Sequence, residues 1–407
     1  MHGYRNMARI GKRPSAKKVY ILIKSCMCKR VNEMARSKFL QRQTVPVKVT
    51  EKSVAGLTDA MALTGFQGRK LGESVQTWAE MLKQNNLTIM LGYTGAMSPA
   101  GMRKIIAFLI QNRMIDVLVS SGANMFHDIY ESTGGKHYIG SHVANDEALF
   151  KDGVDRIYDV FAVEKEFRGT DYMVMDWAMK NLEPNKSYSS REFFHLLGKH
   201  IVENVGADAD GIVASAYRHN VPIFVPALAD SSIGIALMVA RRAGHPVNID
   251  QMKDVDQITQ IVENTKRTGV VYIGGGVPKN FIQQTEVIMS MLEKDVEGHS
   301  YAIQYTTDAP HWGGLSGCTF EEAVSWGKIA GVAPKVQVFA DATISLPIVS
   351  HALAEKTKPY IAKRKSPQYD WSGEKLKVKF TAPAEKGTKM AKAASAPVKK
   401  AGKKPVK

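Results

Sequence analysis

Lys328 closes the run Thr319-Phe320-Glu321-Glu322-Ala323-Val324-Ser325-Trp326-Gly327-Lys328-Ile329, which puts a carboxylate, an indole and an amine within seven residues of one another. Thr319 with Glu322 fits a capping box at a helix start, and Gly327 fits a helix end. Lys328 is then expected just past a short helix, beside Trp326. A lysine becomes a nucleophile when desolvation or a nearby cation lowers its pKa and leaves a neutral amine, and an aromatic wall supplies desolvation. The same spacing also describes a solvated lysine after a capped helix, the ordinary state of lysines.

Three further groups of residues have chemical potential. Gly274-Gly275-Gly276-Val277-Pro278-Lys279-Asn280 follows an apolar run. Such a loop lets a backbone approach an anion at a helix N-terminus, or simply makes a tight strand-to-helix turn. The strict dinucleotide fingerprint needs glycine where Lys279 stands. Asp230 and Asp341 each follow an apolar run, where a carboxylate accepts hydrogen bonds from a ribose diol or caps the next helix. His127, Asp128, His137 and His142 form a loose set of potential metal ligands, and a metal-assisted hydrolase is the second functional class that the chain admits. The set lacks the i, i+4 histidine spacing of helical zinc sites.

The elements that must position these residues alternate along the chain. Apolar runs Leu87–Leu91, Ile115–Val119, Val221–Val225, Val270–Ile273 and Val336–Phe339 are each followed by small or glycine-rich residues and then by helical spacing, as in Gly101–Asn112. This predicts an α/β fold, a Rossmann-like parallel sheet with helices on both faces and ligands at the carboxyl ends of the strands. The segment 164–200, with Phe193, Phe194 and Leu197 at helical spacing, reads as a helical element inserted at the surface.

Composition narrows the classes. With 407 residues and 44% hydrophobic content there is ample core for one large domain or two closely packed ones. No apolar run reaches the eighteen residues that suggest a membrane helix. Three cysteines in such a chain build no disulfide framework, which points to the cytoplasm, and Cys26 and Cys28 lack the two further ligands of a zinc knuckle. The net charge of +16 resides in the tails: +11 in residues 1–44 and +7 in residues 385–407, which leaves −2 for residues 45–384. Residues 1–44 read as a basic disordered extension, residues 45–384 as the catalytic domain, and residues 385–407 as a Lys/Ala/Pro-rich tail. Met34-Ala35-Arg36-Ser37 reads as a start, which makes residues 1–33 an upstream extension. The tails suit solubility or loose polyanion binding through counterion release, not specific nucleic-acid recognition.

The string Glu322-Ala323-Val324-Ser325-Trp326-Gly327-Lys328-Ile329 resembles the active-site motif of the deoxyhypusine synthase family. Further matches follow in order: Gly92-Tyr93-Thr94, Asp116–Val119, Pro222–Leu228 with Asp230, Gly274–Val277 with Lys279, and Ala340-Asp341-Ala342. The resemblance covers roughly residues 50–355. It implies an NAD-dependent aminobutyl transferase that takes its group from spermidine and passes it through a lysine Schiff base to an acceptor amine. It also implies a homotetramer with active sites at subunit interfaces. Lys328 matches the covalent lysine. Glu322, Trp326, Asn280, Gly313, Gly314 and Leu315 match polyamine-pocket positions. Gly95, Ala96, Met97, Ser121, Gly122, Ala123, His127, Asp230, Gly275, Thr307, Asp341 and Ala342 match positions at the cofactor. No metal is implied.

The departures fall on the polyamine pocket. Ile235 stands where the family has an acid, Asn280 where it has a histidine, and Gly313-Gly314-Leu315 where it has Gly-Ser-Asp. Phe126 and His127 replace a pair of acids. A buried amine that loses a partner costs about 1–3 kcal/mol per contact. The expectation is therefore retained NAD and lysine chemistry with a changed donor or acceptor, as in the bacterial deoxyhypusine synthase-like branch, where small amines can accept. A non-catalytic NAD-binding homologue is the alternative.

Overall fold

A computed structural model describes residues 40–206, 210–295, 297–373 and 375–382. Two compact units divide the chain between Lys48 and Val49. In the first, residues 40–48 are exposed and carry neither helix nor strand. The expectations for residues 1–33 and 385–407 lie outside the described residues.

The second unit is built on six parallel strands: β1 Leu87–Tyr93, β2 Val117–Ser120, β3 Ile223–Phe224, β4 Arg267–Ile273, β5 Tyr301–Thr306 and β6 Lys335–Phe339. Their spatial order is β6-β5-β4-β1-β2-β3. The chain fills one side of β1 and then returns to fill the other. Strand order thus reverses between β1 and β4, the point at whose carboxyl ends sheets of this kind bind ligands. Register brings those ends level, since Tyr93 pairs with both Ser120 and Ile273, and Ile273 with Tyr305.

Helices cover both faces. In chain order they are α1 Val54–Met61, α2 Phe66–Lys83, α3 Arg103–Gln111, α4 Gly122–Ser132, α5 Asp146–Lys151, α6 Glu164–Asn181, α7 Ser190–Val205, α8 Ile212–Arg218, α9 Ser232–Arg242, α10 Gln251–Glu263, α11 Gly276–Met291, α12 Phe320–Ser325 and α13 Ala342–Thr357. Leu91, Tyr93, Ile273, Tyr305 and Val338 point into one apolar cluster with α2, α4, α7 and α13. Met90, Val117, Val119, Tyr272 and Ala302 point into another with α10, α11 and α12. Period-two alternation along strands buried on both faces explains why these runs are apolar throughout. No helix among the described residues is long and apolar enough to cross a membrane.

Two expectations are corrected. The segment 164–200 is not a surface insertion. Phe193, Phe194, Leu197 and Ile201 form one buried stripe of α7 in the main core, and the charged residues that suggested exposure occupy its other side. The sheet also has a strand, β5, that the apolar runs did not reveal. Gln304 interrupts its pattern, because that buried side chain serves a polar network instead of the core.

Candidate active site

Helix α12 starts where Thr319 Oγ1 accepts the Glu322 N–H at 3.1 Å. Only this half of the expected capping box forms, so the Glu322 carboxylate is not spent on the helix. Gly327, at φ 68°, turns the chain out of the helix. Lys328 follows, as expected. Its Nζ donates to Asn280 Oδ1 at 3.1 Å and lies 5.4 Å from the centre of the Trp326 ring. Trp326 is 65% exposed, so the chain by itself leaves that face of the amine in water. The backbone is pinned: the Lys328 N–H donates to the Ala323 carbonyl, and the Lys328 carbonyl accepts the His299 N–H, both at 3.1 Å.

Beneath this lies a polar floor. Lys279 is buried on α11 between the rings of Tyr272 and Phe320. Its Nζ donates to Gln304 Oε1 at 2.9 Å and to the Cys318 carbonyl at 2.6 Å. Gln337 Nε2 donates to the same two oxygens. Helix α11, strands β5 and β6, and the loop 307–319 are therefore tied at one point. Burial lowers the Lys279 amine to about 8, against the opposing pull of Cys318 and Glu322. Between that value and 10.5 the unfolded chain holds a proton that the folded chain does not, so this lysine makes stability rise with pH over the window. Urea midpoints at pH 8 and pH 10 should show a rise in the wild type that is smaller in Lys279→Met. Equal rises would remove Lys279 as its source.

The glycine loop does make the tight turn, with Gly274 at φ 71° and Gly276 at φ 54°. A Cβ on Gly275 would stand 2.5 Å from Ser316 Cα. Its first amides are already used: Gly275 N–H donates to Thr94 Oγ1 and Gly276 N–H to Ser316 Oγ, each at 3.0 Å. These bonds join the end of β1 to the loop that leads to Lys328.

On the other side of β1, Ser121 caps α4, and Asn124 Nδ2 donates to the Gly95 carbonyl at 2.8 Å. Gly122 packs so closely on Ser231 that a Cβ would collide with it. Gly95, Ala96 and Ala123 are exposed there, with Met97 partly covered. Asp341 caps α13, donors being the Thr343 N–H and hydroxyl, both 2.7 Å from Oδ1. Ala342 is buried as the first residue of that helix. Asp230 does not cap. Ser231 does so for α9, and the Asp230 carboxylate has no partner among the described residues. Thr307, Gly313, Gly314 and Leu315 line an exposed loop after β5.

The histidine set is not gathered into a ligand group. Both Asp128 oxygens accept backbone N–H groups from Ile212 and Val213 at the start of α8, and one also accepts Arg103 Nε at 2.6 Å. His127 Nδ1 meets His137 Nε2 at 2.9 Å, and His137 Nδ1 meets Glu131 Oε1 at 2.7 Å. Burial, reinforced by His137, lowers His127 to about 4. His142 stacks on Tyr158 instead. Among the described residues no three His, Cys, Asp or Glu side chains converge as a metal site. His127 lies in an aromatic cluster with Phe126, His137 and Phe167.

The structure thus sets a lysine amine beside an indole and an amide oxygen on an α/β sheet whose strand order reverses at β1 and β4. The chain belongs to the deoxyhypusine synthase family, a family of transferases, whose model matches residues 56–353. It is 64% identical over 340 residues to "Probable deoxyhypusine synthase 2" of Methanosarcina mazei, covering 84% of this chain and 97% of that one. It is 37% identical to a "Deoxyhypusine synthase-like protein" of Chlorobaculum parvum, covering 78% and 91%. The bacterial branch is therefore related, and the archaeal proteins are more similar. A crystal structure of a candidate deoxyhypusine synthase from Entamoeba histolytica shares the fold at 16% identity, with a TM-score of 0.52 and coverage of 77% and 98%.

Proposed function

We propose that this chain is an NAD-dependent aminobutyl transferase that carries the group on Lys328, with spermidine or a related polyamine as donor, working in the cytoplasm as a homotetramer. The observation that carries this reading is the Lys328 amine, fixed by Asn280 and faced by Trp326 just past the helix that bears Glu322. NAD, when bound, accepts a hydride from the donor carbon and returns it to the product. The carboxyl ends of β1 and β4 suit such a cofactor, with the uncommitted Asp230 carboxylate after edge strand β3 and the Asp341 carboxylate after edge strand β6. The exposed small residues Gly95 and Ala123 leave room for it there.

The lone pair of Lys328 attacks the imine carbon of the oxidised donor, diaminopropane leaves with the electron pair of its C–N bond, and the butyl chain stays on Lys328 as a Schiff base. Asn280 orients the amine without being able to take a proton. Glu322 suits a polyamine ammonium, and Trp326 suits the methylenes and the adjacent cation. Leu315, Trp312 and Trp326 are exposed, which supports closure of the pocket by a second copy. That burial would desolvate the amine, as its chemistry requires. The names of the archaeal relatives favour a protein lysine as acceptor. Ile235 and Asn280, in place of ionisable residues, favour a small amine as in homospermidine synthesis. Incubation with NAD, spermidine and a panel of amines should release diaminopropane, with transient NADH absorbance. NAD binding with neither signal would leave a non-catalytic homologue.

A further inference from the structure

The segment that bears Lys328 is not held by its own helix alone. It forms a two-bond bridge with His299, two residues before β5: the His299 N–H donates to the Lys328 carbonyl, and the Ala330 N–H donates to the His299 carbonyl, both at 3.1 Å. Gly298 makes that approach possible. It sits at φ 78°, and a Cβ there would stand 2.7 Å from both Ala330 N and Ile329 C. The His299 side chain is fully buried. Its Nδ1 lies 2.7 Å from Thr268 Oγ1 on β4 and 3.1 Å from Glu286 Oε1 on α11. Its Nε2 is buried without a hydrogen-bond partner among the described residues.

We propose that His299 is a positioning residue that sets the depth of Lys328 relative to Asn280. Asn280 and Glu286, the α11 partner of His299, lie on one helix six residues apart, while the bridge fixes the far end of the lysine. The amine and its acceptor are therefore referenced to the same rigid element. This rests on the reading of Lys328 as the nucleophile. An apolar residue would fill the same space but would not fix the backbone, because only directional bonds specify position along the strand. Burial raises the Glu286 carboxyl to about 7 and lowers the His299 imidazole to about 4. Between those values both groups are neutral, so their 3.1 Å contact is not an ion pair, and both bond to the Thr268 hydroxyl between them. Neutral partners avoid the cost of a buried charge directly behind the active lysine.

The test uses the full chain and four forms: wild type, His299→Leu, His299→Gln and Gly298→Ala. Hydrogen–deuterium exchange should accelerate about tenfold or more at the amides of residues 328–330 in His299→Leu and Gly298→Ala, with the peptides of β1 and α7 unchanged. Diaminopropane release from spermidine should lose about tenfold in kcat, with KM within twofold, since a misplaced reacting group costs rate more than binding. His299→Gln, which keeps a polar side chain, should recover most of both. Unchanged exchange at residues 328–330, acceleration spread evenly over the sheet, or unchanged kcat would overturn the proposal. If the wild type releases no diaminopropane, the transferase reading falls, and the exchange result alone decides whether His299 pins this segment.

Discussion

Lys328→Arg lowers diaminopropane release by roughly 10³-fold or more, while NAD affinity stays within about twofold. The size follows from the loss of a covalent nucleophile, whose removal leaves only binding and orientation to accelerate the reaction. Arginine is the discriminating replacement. It keeps the positive charge and the stacking on Trp326, but it is never deprotonated in a protein and offers no lone pair. A lysine that merely paired with a substrate carboxylate, or held the loop through Asn280, would tolerate it. Cofactor affinity is read separately because Asp230, Asp341 and Gly95, the positions proposed to hold the cofactor, lie on other loops, and the Lys328 amine bonds to Asn280 instead. Residual turnover within tenfold of wild type would contradict the role given to this amine.

The second large effect concerns stability. Asp116, fully buried at the start of β2, accepts the Ile89 N–H at 2.9 Å and both terminal nitrogens of Arg364, at 2.9 and 2.6 Å. Arg113 NH2 adds a contact at 3.3 Å. Arg364 and Arg113 are themselves buried, and they also donate to the carbonyls of Leu87 and Pro367. The carboxylate thus ties β1 and β2 to the segment that precedes the terminal hairpin Ser366–Asp370 and Lys377–Thr381. Asp116→Ala leaves two guanidinium groups buried without their anion, and a broken buried pair of this kind costs about 3–5 kcal/mol. Urea unfolding should show a loss of that order. A loss below about 1 kcal/mol would mean that water reaches and solvates the arginines.

The central sheet was legible because strands buried on both faces must be apolar throughout, as in Leu87–Leu91 and Val270–Ile273. Strand β5 escaped because Gln304 and Thr306 break that rule, and Gln304 does so to receive Lys279. The segment around Phe193 was misplaced for a related reason: its charges are on one side of a helix whose other side is core. Lys328 and Trp326 fall where the short capped helix implied, since that helix is set by local bonds at Thr319 and Gly327. The supporting residues were not legible. Nothing in the sequence separates buried Lys279 from a solvated lysine, or shows His299 to be a backbone anchor. Both depend on contacts between segments far apart in the chain. The hint at Lys279 was its place in the glycine loop, where the fingerprint would have had another glycine. Asp128 shows the converse: its sequence neighbours suggested a metal ligand, whereas the fold uses it to cap α8 and pair with Arg103.

One measurement bears most directly on the claim that this enzyme carries its substrate on Lys328. The protein is incubated with NAD and spermidine labelled in the aminobutyl moiety, borohydride is added, and the digest is mapped by mass spectrometry. The account predicts stable label on the peptide containing Lys328, dependent on NAD and absent from Lys328→Arg. Label confined to Lys279 or another residue, or no label while diaminopropane is released at full rate, would contradict it.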